Sequence, residues 1–217
     1  MTKKIYLLAL FIFFAFAGHA QALKIGLLKY NGGGDWYANP TALPNLARFC
    51  NQNLNMNINP EYSEIDPSGT DIYNVHFIHM TGHGNVIFNS KEQQKLREYL
   101  FSGGFLHIDD NYGLDKYIRR ELKKLFPQKK LVELPFDHPI YHQTYDFDKG
   151  LPKIHRHDGK APRGYGILHE GRVIVFYSHE SDLGDGWEDP SVHNDSPEKH
   201  REALKMGANI LQYASHH

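Results

Sequence analysis

Six apolar runs in this sequence end in glycines or in side chains able to bind or catalyse. They are Tyr30-Asn31-Gly32-Gly33-Gly34-Asp35-Trp36, Ile65-Asp66, Thr81-Gly82-His83-Gly84, His107-Ile108-Asp109-Asp110, Phe136-Asp137-His138 and Ser178-His179-Glu180. Asp109 and Asp110 are the most pointed, because adjacent carboxylates repel unless one is protonated or a cation or donor stands between them. A hard metal, a general acid/base pair, or capping of a following helix by Asp110 would each explain them. His83 lies between two glycines, on a backbone free to bring its ring to a ligand. His138 precedes Pro139 and is biased to extended backbone. His179 and Glu180 close a run rich in Val, Ile and Phe and should emerge at its rim. Imidazole with carboxylate suits zinc or iron, or a base oriented by an acid. The catalytic expectation is therefore Asp109, Asp110 and His179. The metal expectation is a divalent ion, zinc, iron or calcium, on His83, Asp109, Asp110, His138 and His179. No H-E-x-x-H or C-x-x-C spacing supports it. His107 reads as a hydrogen-bonded core histidine.

The glycine-rich turn at 31–34 matches neither G-x-G-x-x-G nor a Walker sequence, and no Lys follows it. Its N–H groups suit an anion, or its glycines only supply unusual backbone angles. Gly33, Gly34, Asp35, Trp36, His83 and Trp187 are the expected ligand contacts, the tryptophans as stacking platforms. Two polar loops add candidates: His155-Arg156-His157-Asp158, and the acidic stretch Asp182 to Asp189, whose ligand order does not fit an EF-hand.

These groups need strands to carry them. Leu23 to Lys29, Tyr62 to Ile65, Val75 to Met80, Phe105 to Ile108 and Leu131 to Leu134 read as strands, and Gly166 to Glu170 with Arg172 to Tyr177 as a hairpin. Helices are expected from Thr41, as cap, to Leu54, and from a capping box at Ser90-Lys91-Glu92-Gln93 to Phe101. Two more should run from Asp115 to Phe126 and from Ser196-Pro197 to the C-terminus. The basic residues of 115–126 read as a solvated face. Asp137 to Pro162 and Asp182 to Asp195 lack periodicity, and irregular stretches of that length are usually functional. In an open α/β sheet, ligands gather outside the carboxyl ends of the strands, so the six run-ends should share one edge.

With 24 basic and 25 acidic residues among 217, no long-range field favours nucleic acid. Fifteen histidines are the compositional anomaly. Cys50 is the only cysteine, so no intrachain disulfide is possible. Lys3-Lys4, the apolar run from Ile5 to Ala17 and Ala20-Gln21-Ala22 form an expected secretory signal over residues 1–22, with 23–217 as one extracytoplasmic domain.

Gly103-Gly104-Phe105-Leu106-His107-Ile108-Asp109-Asp110, with Gly32-Gly33-Gly34-Asp35-Trp36, Thr81-Gly82-His83-Gly84 and Asp137-His138-Pro139-Ile140, resembles the domain of unknown function 4159 family from about Lys24 to Ala214. That resemblance implies a class I glutamine amidotransferase-like fold, a flavodoxin-like three-layer α/β sandwich with a mostly parallel sheet and helices on both faces. A more distant likeness is to the trehalose-utilisation family. Glutaminase chemistry is not expected, because Asp109-Asp110-Asn111 stands at the turn where those enzymes carry a nucleophilic cysteine. The functional expectation is binding of a polar small molecule or glycan at the strand-end cleft, with metal-assisted hydrolysis as one form of it. The alternative is a noncatalytic domain engaging another cell-envelope protein. A flavin-binding reading is weaker, since the first turn is not rich in Ser and Thr.

Overall fold

The apolar runs form one seven-stranded sheet in the computed structural model, which describes residues 22–216. The strands are β1 (Ile25–Leu28), β2 (Ser63–Ile65), β3 (Phe77–Met80), β4 (Phe105–Asp109), β5 (Val132–Glu133), β6 (Arg163–His169) and β7 (Arg172–His179). Their spatial order is β2-β1-β3-β4-β7-β6-β5. The first five in that order are parallel, β6 runs against β7, and β5 against β6. With β7 in fifth place, the parallel part has the flavodoxin-like order 2-1-3-4-5. The expected flavodoxin-like arrangement, a mostly parallel sheet with helices on both faces, is the one observed. The signal segment expected at 1–22 lies outside the described residues except for Ala22, and among the described residues no helix is long and apolar enough to cross a membrane.

Helices cover both faces. α1 (Ala42–Leu54) and the C-terminal α6 (Pro197–His216) pack on one side with the short α4 (Leu183–Trp187), burying Leu43, Leu46, Trp187 and Met206 against Ile25, Phe77, Phe105 and Phe176. α2 (Ser90–Phe101) and α3 (Asp115–Leu125) cover the other, with Leu96, Leu100, Ile118 and Leu122 beside Ile78, Leu106 and Ile108. Successive strand side chains point to opposite faces, and this alternation assigns the polar residues too. On β4, Phe105, His107 and Asp109 face α1 and α6, while Leu106 and Ile108, and Asp110 beyond them, face α2 and α3. On β7, Phe176 and Ser178 take the first side, Tyr177 and His179 the second.

Local expectations shift in three places. Asn89, not Ser90, caps α2: its side chain accepts the N–H groups of Lys91 and Glu92 at 2.9 and 3.1 Å, and Glu92 accepts that of Asn89 at 2.7 Å. The capping box is real but starts one residue earlier, because Glu92 must occupy the third helical position to reach back. Thr41 does not cap α1; its hydroxyl donates to Glu188 at 3.2 Å and accepts from the N–H of Asp189 at 3.1 Å. The acidic stretch after Ser181 is not irregular, since it forms α4 and α5 (Pro190–His193). The hairpin turns at Glu170-Gly171, both at positive φ (51° and 80°), as a two-residue primed turn requires.

The Gly103-Gly104 pair has a steric cause. Gly103 takes φ +113°, and a Cβ on Gly104 would come within 2.3 Å of the ring of Tyr99. That ring cannot withdraw: it is buried, and its hydroxyl bonds the N–H and carbonyl of Phe105, both at 3.3 Å. Gly104→Ala is expected to destabilise by about 1–3 kcal/mol or more, read as a lower urea midpoint, and Tyr99→Phe should weaken the fold far less.

Candidate functional site

On the α2/α3 side, four polar groups meet beyond the carboxyl ends of β4 and β7. Ligand atoms of Asp110, Asp115 and His179 lie within 4.8 Å of one another. Tyr177 donates its hydroxyl to Asp115 at 2.9 Å and to Asp110 at 3.3 Å. His179 sets Nε2 at 3.6 Å from Asp115, and its Nδ1 is buried with no hydrogen-bond partner. Asp110 also accepts the N–H of Leu114 at 2.8 Å just before α3, but this is not the expected cap, since Leu114 is itself the N-cap and α3 has no side-chain cap. Burial pushes the Asp110 carboxyl up, the Leu114 N–H opposing it, and burial beside Asp110 and Asp115 pushes the Tyr177 hydroxyl up further. Asp110, Asp115 and His179 border a cleft of about 530 Å³ lined also by Tyr112, Lys116, Asp158, Lys160 and Glu180, with Tyr177 buried behind them.

Asp109 faces the other way and does not line this cleft. It is fully buried; one oxygen accepts the Ser178 hydroxyl and the other the N–H of Gly184 at 2.7 Å. A buried line of imidazoles continues from it: Ser178 Oγ lies 3.0 Å from His107 Nε2, and His107 Nδ1 3.0 Å from His79 Nδ1. Burial raises the Asp109 carboxyl to about 8, with Asp182 adding to it, and lowers His79 to about 3 and His107 well below its ordinary value. This is a neutral packing device, so Asp109 leaves the expected catalytic and metal sets, and His107 is the hydrogen-bonded core histidine its place in the strand suggests. Trp187 also departs from expectation: it is fully buried over the His79–His107 pair and donates its indole N–H to Ala203 at 2.8 Å. It has no face left for a substrate.

The remaining expected residues scatter. His138 belongs to the opposite edge of the sheet, where it borders a hollow with Glu170, Gly171 and Arg172, the turn that precedes β7. The loop after β5 carries it there, and it cannot share an ion with His179. His83 is half exposed and pairs with Asp35, Nδ1 to Oδ2 at 3.0 Å, while its backbone N–H donates to the same carboxylate. Only its neighbour Gly84 reaches the cleft wall. The N–H groups of Gly34 and Asp35 bond the carbonyls of Asn85 and His83, at 3.0 and 3.4 Å, which removes them as anion donors. Gly34 leaves no room for a Cβ, which would meet the His83 carbonyl oxygen at 2.5 Å; Gly33, at φ +92°, faces open space. Trp36 lines a separate notch of about 210 Å³ with Lys29, Asp66 and Ser68, Lys29 lying 5.3 Å over its ring. Cys50 is buried on α1, its thiol pushed up to about 12, and offers no nucleophile.

A second cluster joins the two polar loops. His155 Nδ1 lies 3.4 Å from Asp182 and 3.2 Å from Asp185, and its Nε2 3.2 Å from Asp195. His157 Nε2 pairs with the same Asp182 oxygen, and His193 Nε2 with Glu188 at 3.0 Å. Asp182 and Asp185, accepting from the His155 ring, push its imidazole up to about 10. The ring of His157 stacks on Tyr112 at 4.5 Å, at the wall of the cleft.

Of the five expected metal ligands, then, only Asp110 and His179 share a group. Asp115 and Tyr177 complete it and were missed, although Tyr177 stands two residues before His179 and so on its face. His79 was missed as the partner of His107. Together these features define an α/β protein of flavodoxin-like strand order with a polar cleft at the carboxyl edge of its sheet. The chain belongs to the family described as Domain of unknown function (DUF4159), whose model matches residues 24–215. No curated protein matches it.

The buried line has a pH signature. An Asp109 carboxyl held near 8 keeps its proton while the unfolded chain releases its own near 3.8, so this group removes stability as pH rises from ~4 to ~8. The buried histidines act oppositely, removing stability as pH falls below ~6.5. Asp109→Asn keeps a donor and an acceptor in place. In metal-free protein its melting temperature should fall less between pH 5 and pH 8 than the wild type's; parallel pH profiles would contradict a neutral, buried Asp109.

Proposed function

We propose that the protein acts outside the cytoplasm on a polar small molecule or glycan held in the cleft beyond β4 and β7. His179 serves as the base and Asp110, its carboxyl pushed up by burial, as the acid. Asp115 and the Tyr177 hydroxyl hold both in place. The observation that carries this reading is His179 in the wall of an open cleft of about 530 Å³, its Nε2 turned to Asp115 and its buried Nδ1 without a partner, since buried polar atoms are almost always satisfied and an orphan calls for a partner. Lys116, Lys160, Asp158 and Glu180 line that cleft and give it both donors and acceptors, which suits a ligand rich in hydroxyl or amide groups. The likeness of the first residues to a secretory signal supports the compartment.

A second reading is a noncatalytic domain that docks on another cell-envelope protein. What favours it is how many of the polar groups are already paired: Asp109 and His107 inside the fold, and His83 with Asp35 on its surface. The two readings separate in a panel of glycans, chromogenic glycosides and esters. The first expects a ligand from the panel to raise the melting temperature of the wild type, and His179→Ala to lose any turnover by roughly 10²–10⁴-fold with its own stability nearly unchanged. Turnover equal in wild type and His179→Ala would refute the acid/base assignment, and no response to any member of the panel would favour the docking domain.

A further inference from the structure

Four carboxylates crowd the loops on the α4 side of the cleft: Asp182, Asp185, Glu188 and Asp195, with side chains 0, 11, 3 and 6% exposed. Among the described residues no lysine or arginine pairs with any of them; their basic neighbours are the imidazoles of His155, His157 and His193. The four carboxylates outnumber the one imidazolium that His155 places among them, and an ion that displaced its ring proton would balance more of that buried charge. Asp182 also carries an independent mark of a missing partner. Its carboxylate is fully buried, one oxygen faces both His155 and His157, and the other has no hydrogen-bond partner at all.

We infer that His155, His157 and Asp182 form a binding site for a divalent transition-metal ion of the zinc or iron(II) type. Two imidazoles and one carboxylate are the donor set that such borderline ions take, with positions left for water or a ligand. Their ligand atoms lie within 4.8 Å of one another. His155 Nδ1, at 3.4 Å, and His157 Nε2 both face the same Asp182 oxygen, and the direct His157–Asp182 contact must lengthen for the three to share one ion. Asp195, 3.2 Å from the far nitrogen of His155, supplies the carboxylate behind the histidine that orients a ligating ring and leaves Nδ1 for the ion. The hard ions calcium and magnesium prefer all-oxygen shells and are disfavoured by the two nitrogens. The site does not depend on the acid/base role of His179. It borders the same cleft, because His157 lies against Tyr112.

The full chain, purified, stripped with EDTA and titrated with Zn²⁺ against a chromophoric chelator, tests the assignment. One equivalent should bind and raise the melting temperature, and Co²⁺ in its place should give a visible absorption spectrum. Loss of a group behind a ligand typically costs 10–100-fold in affinity, so His157→Ala and Asp182→Asn are each expected to weaken Zn²⁺ by about 100-fold or more. His179→Ala should bind as the wild type does. His157 is near the surface, so His157→Ala carries the test should Asp182→Asn fail to fold. The site is refuted if the wild type binds no Zn²⁺, if His157→Ala binds it equally well, if His179→Ala abolishes binding, or if only Ca²⁺ or Mg²⁺ binds.

Discussion

Neighbouring residues on a strand cannot face the same way, and this constraint on β4 and β7 organises the chemistry of the molecule. Asp109 and Asp110 are adjacent in sequence yet separated by the sheet itself. One is sealed among Ser178, Gly184 and the imidazoles, and the other meets Tyr177, Asp115 and His179 at the cleft. The repulsion that two neighbouring carboxylates would feel is relieved by geometry rather than by an ion between them. The same alternation on β7 sends Ser178 to the sealed side and His179 to the open one. Each strand thus contributes one residue to holding the sheet against α4 and one to the surface where a ligand can reach it.

The sealed line matters for the open one. Asp109 fixes the first residues of α4 through the Gly184 N–H, and α4 carries Asp182 at its entry and Asp185 within it. Trp187 closes over His79 and His107 and anchors the same helix to α6. A protonated carboxyl and neutral imidazoles in the core therefore set the position of the ionised cluster a few residues away.

Much of the fold was legible in the sequence because its signals are local and periodic. The apolar runs at 75–80, 105–108 and 172–177, the Gly-Gly before β4 and the Glu170-Gly171 turn each carry their own physical cause. The convergence of strand ends was legible as well, since parallel strands point their tips the same way. The site was harder to read. Side-chain direction at a strand end depends on register, so Asp109 looked as available as Asp110. Tryptophan in an acidic stretch suggested a platform, but that stretch coils into α4 and turns the ring inward. His138 sits in an aperiodic segment, where nothing in the sequence says to which edge the chain returns. His155 and His157 stood out as polar loop residues, yet only tertiary contact with Asp182, some 25 positions on, gives them a common partner.

The place of β7 has a consequence for how the molecule is assembled. It enters the sheet between β4 and β6, pairing Leu106 with Val175 and Ile108 with Tyr177 across nearly 70 residues of chain. An interior strand of the sheet is thus the last strand to be synthesised, and pairing at such separation is slow. Until Arg172 to His179 arrives, β4 presents a bare edge of five buried-type residues, Phe105-Leu106-His107-Ile108-Asp109, open to another chain. A product truncated before β7 would lack both clusters and keep that adhesive edge, so quality control in the cell has a clear feature by which to tell finished chains from unfinished ones.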